Sequence, residues 1–267
     1  MILTEPSLPT AQQLAALCGP NAQDITLRIV AETGSTNADL LAETAQLQGP
    51  TLLWAGLQTA GKGRAGRSWH SAPDATLTFS LAWKFALPVQ ALAGLSLAVG
   101  VAVVETLIAF GVDARLKWPN DILRNGNKLA GILIETAVDK TDRHSIWAVI
   151  GVGINLAGAH DLSARIGRTV ADTSGLALER ERLMAALLDA FSKALPLFEQ
   201  QGFKAFATAW NALDAYAGQA VNIIDQGEVL QHGNAVGVDE SGRLLLETVH
   251  GRMAISAGDV SLRISGE

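Results

Sequence analysis

The sequence predicts an α+β fold: a mixed or antiparallel central sheet with helices, followed by a small C-terminal β-barrel. Three observations carry this reading. Short strand-like runs recur between residues 25 and 156, with an Asn125-Gly126 pair placed to turn one hairpin. Two longer segments, residues 88–110 and 181–200, space their apolar residues at helical intervals. After Gly218 the texture changes to short strands broken by turns, enough for a barrel of about 50 residues. The boundary is expected at Ala217-Gly218, dividing residues 1–217 from residues 218–267.

In chain order, residues 10–17 form a short helix ended by Gly19-Pro20. Residues 25–31 alternate as a strand. Gly34-Ser35-Thr36-Asn37-Ala38-Asp39 opens the next helix, with Thr36 as N-cap and Asp39 in the first turn, where its charge favours the helix dipole. That leaves the hydroxyls of Ser35 and Thr36 at a strand-to-helix junction, where small ligands are often held. Residues 51–57 and 76–85 read as strands flanking a loop rich in glycine and cations.

The helix at 88–110 places Leu92, Leu95, Val99, Val103 and Leu107 at helical spacing. Residues 85–104 carry no charge and are long enough to span a bilayer. Pro88, Gln90, Gly94, Ser96 and Gly100 interrupt them, and alanine is favoured over leucine and isoleucine, so the segment is read as core and not as a membrane span. Gly111 ends it. Residues 114–123, 128–135 and 145–150 follow as strands of one antiparallel sheet, with Lys117, Lys128 and Asn155 near their ends or turns. Taken singly, the lysines would be solvated and the asparagine a turn residue. The helix at 181–200 is expected to break near Pro196, and a second at 203–216 to close at Gly218. Later turns fall at residues 225–227, 239–242 and 250–251.

A chain of 267 residues with 49% hydrophobic and 17% charged residues is a globular protein with a full core. Its net charge of −6 argues against a nucleic-acid binder working by bulk electrostatics. Cys18 stands alone, which excludes an internal disulfide and fits a reducing, cytoplasmic compartment. The N-terminus lacks the basic and apolar regions of an export signal, and the stretch before Ile25 is too short for a winged-helix domain. The five histidines show no zinc-ligand spacing, and no G-x-S-x-G elbow points to a hydrolase.

Residues 58–71 hold the densest chemistry: Lys62, Arg64 and Arg67 alternate with Gly61, Gly63 and Gly66, and Trp69 follows. Backbone N–H groups freed by glycine, together with cations, suit an anion. Two phosphate motifs are nearly spelled. Gly61, Gly63 and Gly66 read G-x-G-x-x-G, but no helix follows to receive a pyrophosphate. Residues 56–62 read G-x-x-x-x-G-K, but Gly63 stands where a Ser or Thr is needed. Neither motif holds, and alone the string would be a solvated basic turn.

It does not stand alone. Ser35-Thr36-Asn37, the loop from Gly61 to Trp69, Lys117-Trp118-Pro119-Asn120-Asp121 with Lys128-Leu129-Ala130-Gly131-Ile132-Leu133, and Gly151-Val152-Gly153-Ile154-Asn155 occur in this order. Together they resemble the biotin–protein ligases (biotin–[acetyl-CoA-carboxylase] ligases) over about residues 33–263. The resemblance implies a biotin/lipoate ligase-like catalytic domain, an SH3-like C-terminal barrel and a two-step reaction. Biotin's carboxylate attacks the α-phosphate of ATP to give biotinyl-5′-AMP and pyrophosphate. A lysine of a biotin carboxyl carrier protein then takes the biotinyl group and releases AMP.

By matching position, Ser35, Thr36, Asn37, Gln58, Lys62, Gly63, Arg64, Trp69, Lys128, Gly151 and Gly153 are implied to bind biotin. Arg64, Arg67, Asn120, Lys128 and Asn155 are implied to bind the nucleotide. Lys128, Arg64 and Asp121 are implied to be catalytic, with Lys128 bridging the biotin carboxyl and the α-phosphate, and Asp121 facing Mg²⁺ and orienting or deprotonating the acceptor amine. The resemblance also implies ATP and Mg²⁺ as co-substrate and ion, no tightly bound cofactor, no nucleic-acid or membrane partner, and a monomer or homodimer. Lys62 and Ala65 depart from the arginines common in the family; Lys62 keeps charge but loses the bidentate fork. Arg168 falls near an adenine-stacking aromatic of some members. A lipoate or octanoate ligase on the same fold is the alternative enzyme. A biotin-responsive repressor is disfavoured by charge and N-terminal length. With no helix behind it, the glycine-rich loop is expected to act as a lid that closes over biotin and adenylate.

Overall fold

Thr10 caps the first helix, α1 (Ala11–Ala15): its hydroxyl accepts from the Gln13 N–H while the Gln13 side chain accepts from the Thr10 N–H. The structure, a computed structural model, describes residues 8–140, 142, 144–225, 227–258 and 260–265. After α1 come β1 (Thr26–Thr33), α2 (Thr36–Glu43), β2 (Thr51–Gln58), β3 (Thr76–Phe85), α3 (Leu95–Ala109), β4 (Arg115–Lys117), β5 (Asp121–Arg124), β6 (Asn127–Val138) and β7 (Ile146–Asn155). The seven strands make one sheet in the order β1-β2-β3-β7-β6-β5-β4. Only β1 and β2 pair in parallel, so the sheet is mixed as expected.

Side-chain alternation gives the sheet two different faces. Leu77, Phe79 and Leu81 of β3, Ile150, Val152 and Ile154 of β7, and Ala130 and Ile132 of β6 enter the main core. There α3 and α5 (Arg180–Gln201) cover them, with Phe79 against Phe191 and Phe85 against Phe198, both at 6.2 Å between centroids. On the opposite face, Leu40 of α2 packs on Leu53, Ala82, Trp147 and Val149. That smaller cluster holds α2 across β3 and β7, and beside it the sheet face turns from apolar to polar: Thr78 and Ser80, Gly151 and Gly153, and Gly131 and Leu133 stand in register.

Several helix expectations change. Ser35, not Thr36, caps α2, accepting from the Ala38 N–H at 3.4 Å, because Ser35 is the residue in extended conformation while Thr36 already belongs to the helix. The long apolar helix starts only at Leu95; Gly94, at φ 83°, separates it from a 3-10 turn over Val89–Leu92. That stretch is apolar and long enough to cross a membrane, yet 67% of it is buried inside the protein. α5 runs unbroken through Pro196, whose missing N–H removes a single ladder bond. The second helix shortens to α6 (Ala207–Ala212), because Leu213 and Ala215 turn to bond the backbone of Leu116. Residues 159–166 form a helix, α4 (Ala159–Ile166), that the sequence reading left out.

The C-terminal sheet comprises β8 (Ala220–Asp225), β9 (Glu228–Val238), β10 (Leu244–Thr248), β11 (Gly251–Ile255) and β12 (Ser261–Ile264), in the antiparallel order β11-β10-β9-β8-β12. The turn expected at residues 225–227 includes Gln226, which lies outside the described residues. Asn211 holds this sheet by bonding Val238 at both N–H and C=O, and the indole N–H of Trp118 donates to the Gly242 carbonyl.

Asp214 sits where α6 leads toward β8. Its Oδ1 accepts from the Tyr216 N–H, while Oδ2 is buried with no hydrogen-bond partner among the described residues. Burial pushes this carboxyl up to about 6, against the pull of the Tyr216 bond. A raised folded pKa means the neutral acid favours the fold, fully below the unfolded pKa of about 4, and that this contribution is lost as pH rises through about 6. Asp214→Asn stays neutral, so it is expected to stabilise the protein at pH 7.5 by on the order of 2 kcal/mol and to change little at pH 4. Urea melts at the two pH values read the difference; an equal effect at both would remove the explanation.

Candidate active site

Two compartments meet on the polar face of the sheet. The first is a half-open pocket beneath the start of α2. Its floor is one hydrogen-bonded chain. Gln58 Oε1 accepts from the Thr36 N–H at 2.7 Å and lies 3.0 Å from the Thr36 hydroxyl, which is 2.6 Å from Ser80 Oγ. Ser80 donates to Asn37 Oδ1 at 2.6 Å, and Asn37 Nδ2 donates to Glu135 at 2.8 Å. Thr36, Asn37, Gln58 and Ser80 are all buried.

Two glycines of β7 make this arrangement possible. A Cβ on Gly151 would stand 2.4 Å from Asn37 Oδ1. One on Gly153 would stand 2.3–2.7 Å from three atoms of the Trp69 indole. The Trp69 indole therefore packs directly on Gly153 of β7, and its N–H is buried without a protein acceptor among the described residues.

The second compartment is cationic. Arg64, Arg67, Lys117, Lys128, Arg168 and Arg263 line it, six cations against the single carboxylate of Asp121, in a chain whose net charge is −6. Lys128 Nζ is 2.5 Å from Asp121 Oδ1, and Lys117 Nζ is 3.9 Å from Oδ2. Burial alone would raise the Asp121 carboxyl; Lys128 and Lys117 overrule it and hold the group below the usual carboxylate range. Lys117, largely buried and 5.6 Å from the centre of the Tyr216 ring, is pushed below the usual lysine range by desolvation, against the opposing pull of Asp121.

A bulge aims Lys128 at this space. Asp121 and Ile122 pair with Gly131 and Ala130, but Leu123 pairs with Lys128, so Leu129 is extra. The inserted residue brings Lys128 to the side that Asp121 occupies. Gly131 leaves room for it, since a Cβ there would sit 3.1 Å from Lys128 Nζ.

The loop at 58–71 forms a narrow turn. Gly63 N–H donates to Arg67 O, Trp69 N–H to Gly61 O, and Lys62 bridges Ser68. Ala65 and Gly66 take φ of 52° and 70° at its tip, and no helix follows before β3, so neither phosphate motif is formed. Arg64 donates to Asn120 Oδ1 and to the Gly258 carbonyl, and Arg67 to Ser261. The loop thus rests on both sheets.

Of the residues singled out in sequence, Ser35, Thr36, Asn37, Gln58, Lys62, Gly63, Arg64, Trp69, Asn120, Lys128, Gly151 and Gly153 line the first cavity, and Arg67, Asp121 and Arg168 the second. Gly63, Arg64, Trp69, Asn120 and Lys128 border both. Asn155 lines neither. It continues the row of Gly151 and Gly153, but residues 170–171 bridge to Lys128 over the strand end, and Asn155 Nδ2 donates to the Ala171 carbonyl. Ser80, Glu135 and Arg263 went unnoticed. Period-two alternation from Thr76 offered a signal for Ser80; only the fold brings in the other two.

Asp121 does not fit a protein-held metal, since each of its oxygens faces an ammonium group, and no cluster of three or more metal-ligating side chains occurs among the described residues. The arrangement suits a neutral hydrogen-bonding head group in the first compartment and a polyanion in the second, joined where Lys128 stands.

Residues 29–155 match the biotin/lipoate A/B protein ligase family, and residues 216–263 match the biotin protein ligase C-terminal domain. The bifunctional ligase/repressor BirA of Escherichia coli is 36% identical over 232 residues, covering 86% of this chain and 71% of that protein. The biotin–[acetyl-CoA-carboxylase] ligase of Paracoccus denitrificans is 35% identical, covering 87% and 98%. The structure of the Aquifex aeolicus biotin protein ligase in complex with biotin and ATP aligns with a TM-score of 0.76 at 28% identity, over 90% of this chain and 99% of that one.

Proposed function

We propose that this chain, which belongs to the biotin protein ligase family, joins biotin to ATP at the seam between its two compartments and passes the biotinyl group to a carrier protein. It is a biotin ligase that uses ATP, and a carboxyl carrier is its acceptor. One observation supports the placement of the chemistry: Lys128 and Arg64 border both the neutral cavity and the cationic one. A bicyclic head group set on the polar floor of the first pocket brings its carboxylate out beside Lys128, which lines the same pocket.

In the first step the carboxylate oxygen bonds to the α-phosphorus as the bond to the β-phosphate oxygen breaks and pyrophosphate leaves. Two anions must be brought together, so cations that cancel their repulsion and stabilise charge at phosphorus are the central requirement. Lys128 bridges carboxylate and α-phosphate. Arg64 and Arg67, from the loop, neutralise the phosphates, and Asn120 faces the nucleotide. An accompanying Mg²⁺ would be held mainly by the phosphates and water, and would supply charge neutralisation at the phosphates. In the second step a lysine amine of the carrier attacks the anhydride carbonyl, and AMP departs. Enclosure keeps water from the anhydride.

Asp121 orients in both steps. Its carboxyl lies below the usual range, so it is a weak base but a strong acceptor for an ammonium group. Asp121→Ala is expected to slow transfer from preformed biotinyl-AMP by about 10–100-fold, and transfer at full rate would end this role. Asn155 acts beneath the site by fixing residues 170–171 over Lys128. The division between catalytic and C-terminal domains is placed at Ala217-Gly218, where Gly218 takes φ 76° just before β8. The cytoplasm, which supplies ATP and carrier, is the proposed compartment, with the protein a monomer or homodimer.

The test is one assay with biotin, MgATP and a purified carrier domain, read by mass spectrometry. One biotinyl group on one lysine is the expected product. Modification by lipoate and not by biotin would overturn the reading.

A further inference from the structure

Glu135 lies outside the cavity, behind Asn37, and has no part in the steps above. It is nevertheless the end of the chain of hydrogen bonds that forms the cavity floor. A carboxylate only accepts, so the amide of Asn37 turns Nδ2 toward it, at 2.8 Å, with the Leu133 carbonyl a second, longer acceptor at 3.4 Å. That fixes Asn37 Oδ1 toward Ser80, and an amide oxygen also only accepts, so the Ser80 hydroxyl must spend its one proton there, at 2.6 Å. Ser80 Oγ and Thr36 Oγ1 are 2.6 Å apart. With the Ser80 proton engaged, the one proton of Thr36 is shared between Ser80 Oγ, the shorter contact, and Gln58 Oε1 at 3.0 Å, and in either case it is spent within the floor. Gln58 Oε1 keeps the Thr36 N–H, at 2.7 Å. The direction Ser80 to Asn37 to Glu135 follows from the chemistry of each partner in turn, and Thr36 spends its proton on Ser80 or Gln58.

The geometry points to Glu135 as a positioning residue for substrate selectivity: by setting the sense of this chain, it leaves Thr36 and Ser80 with lone pairs, and no protons, to offer the bound ring. This inference rests on the biotin reading above. Biotin's ureido ring carries two N–H donors, whereas the dithiolane of lipoate carries none. A floor committed to accepting pairs with the first and leaves buried lone pairs unmet by the second, the more costly kind of mismatch. Glu135 itself touches neither ligand, and Gly151 preserves the arrangement, since a Cβ there would displace Asn37.

The test compares biotin with a biotin methylated at its ureido nitrogens, by calorimetry on the full chain. Wild type is expected to prefer biotin by about 100-fold. Glu135→Leu, which removes the shorter acceptor and leaves Asn37 only its long contact with the Leu133 carbonyl, should weaken biotin by about tenfold and reduce that preference to about tenfold or less, with KM for ATP unchanged. Glu135→Gln still offers an oxygen to Asn37, so it should stay within about threefold of wild type. The steric cost of the methyl groups is common to all backgrounds and cancels from the comparison. A merely structural Glu135 would weaken both ligands equally and leave the preference intact, which would overturn the proposal. So would Glu135→Gln behaving like Glu135→Leu. Failure of wild type to bind biotin at all would overturn the biotin reading and this inference with it.

Discussion

Lys128→Met is expected to lower the rate of biotinyl-adenylate formation by about 10³-fold, or roughly 4 kcal/mol of barrier, while weakening biotin binding only about tenfold. The asymmetry follows from where the ammonium stands. On the proposed reading, the head group of biotin meets the pocket floor formed by Gln58, Thr36, Asn37 and Ser80, and those contacts survive the change. The same reading puts the charge that develops on the reacting oxygens at the seam, where Lys128 supplies a point charge that methionine of similar length cannot. The neighbours do not replace it. Lys117 stands 3.9 Å from the far oxygen of Asp121, and its own charge is disfavoured by desolvation. The variant has a second signature. Asp121 loses the partner that most opposes the effect of its burial, so its carboxyl rises. A depressed carboxylate contributes stability above its unfolded pKa and loses it as pH falls through the folded one, so the acid limb of the stability curve should move to higher pH in the variant. Pyrophosphate release at saturating biotin and ATP, with urea melts from pH 3 to 7, checks both. A loss of less than about tenfold in rate would remove Lys128 from its assigned place.

The strands were legible because each is a half-buried surface written with period two, and the hairpin because Asn125-Gly126 takes positive φ at both residues. The helices were less so. Ser35 and Thr36 are equally good caps on paper, and the choice fell to the one whose backbone is extended. Pro196 signals a break, but the surrounding core holds α5 together across it. In the site, motifs located the residues that share a short stretch of chain: Ser35 to Asn37, the loop, and the segment from Lys117 to Asp121. Long-range partners carry no local signal. Glu135 meets Asn37 across 98 residues because α2 crosses β6, and Arg64 and Arg67 each reach 194 residues along the chain to the C-terminal sheet. Asn155 stands in a row with two glycines, as its spacing suggests, and what covers it comes from elsewhere in the chain.

Gly153→Ala is expected to cost about 10²-fold in kcat/KM for biotin, more than one added methyl would suggest. Its Cβ would fall within 2.7 Å of three ring atoms of Trp69, and a ring packed against a strand has nowhere to bend. Trp69 must leave, and it is the residue that fastens the loop to the sheet. With it go Arg64 and Arg67, which on the proposed reading meet the phosphates only while the loop is seated. The loop should then be cut by trypsin near Arg64 even in the presence of biotin and ATP, whereas in wild type those ligands should suppress cutting. Gly66→Ala serves as the control. At φ 70° it strains the tip by about 1–2 kcal/mol, but nothing lies within 4 Å of the new methyl, so the loop stays seated. If Gly66→Ala were as damaging as Gly153→Ala, loop strain and not the wedge would be the cause. The wedge also predicts repair. Trp69→Leu frees the space that the alanine needs, so Gly153→Ala with Trp69→Leu should lose less than the two single losses combined. Additive losses would mean that Trp69 and Gly153 act separately, and the loop would then be held by its arginines and not by its tryptophan.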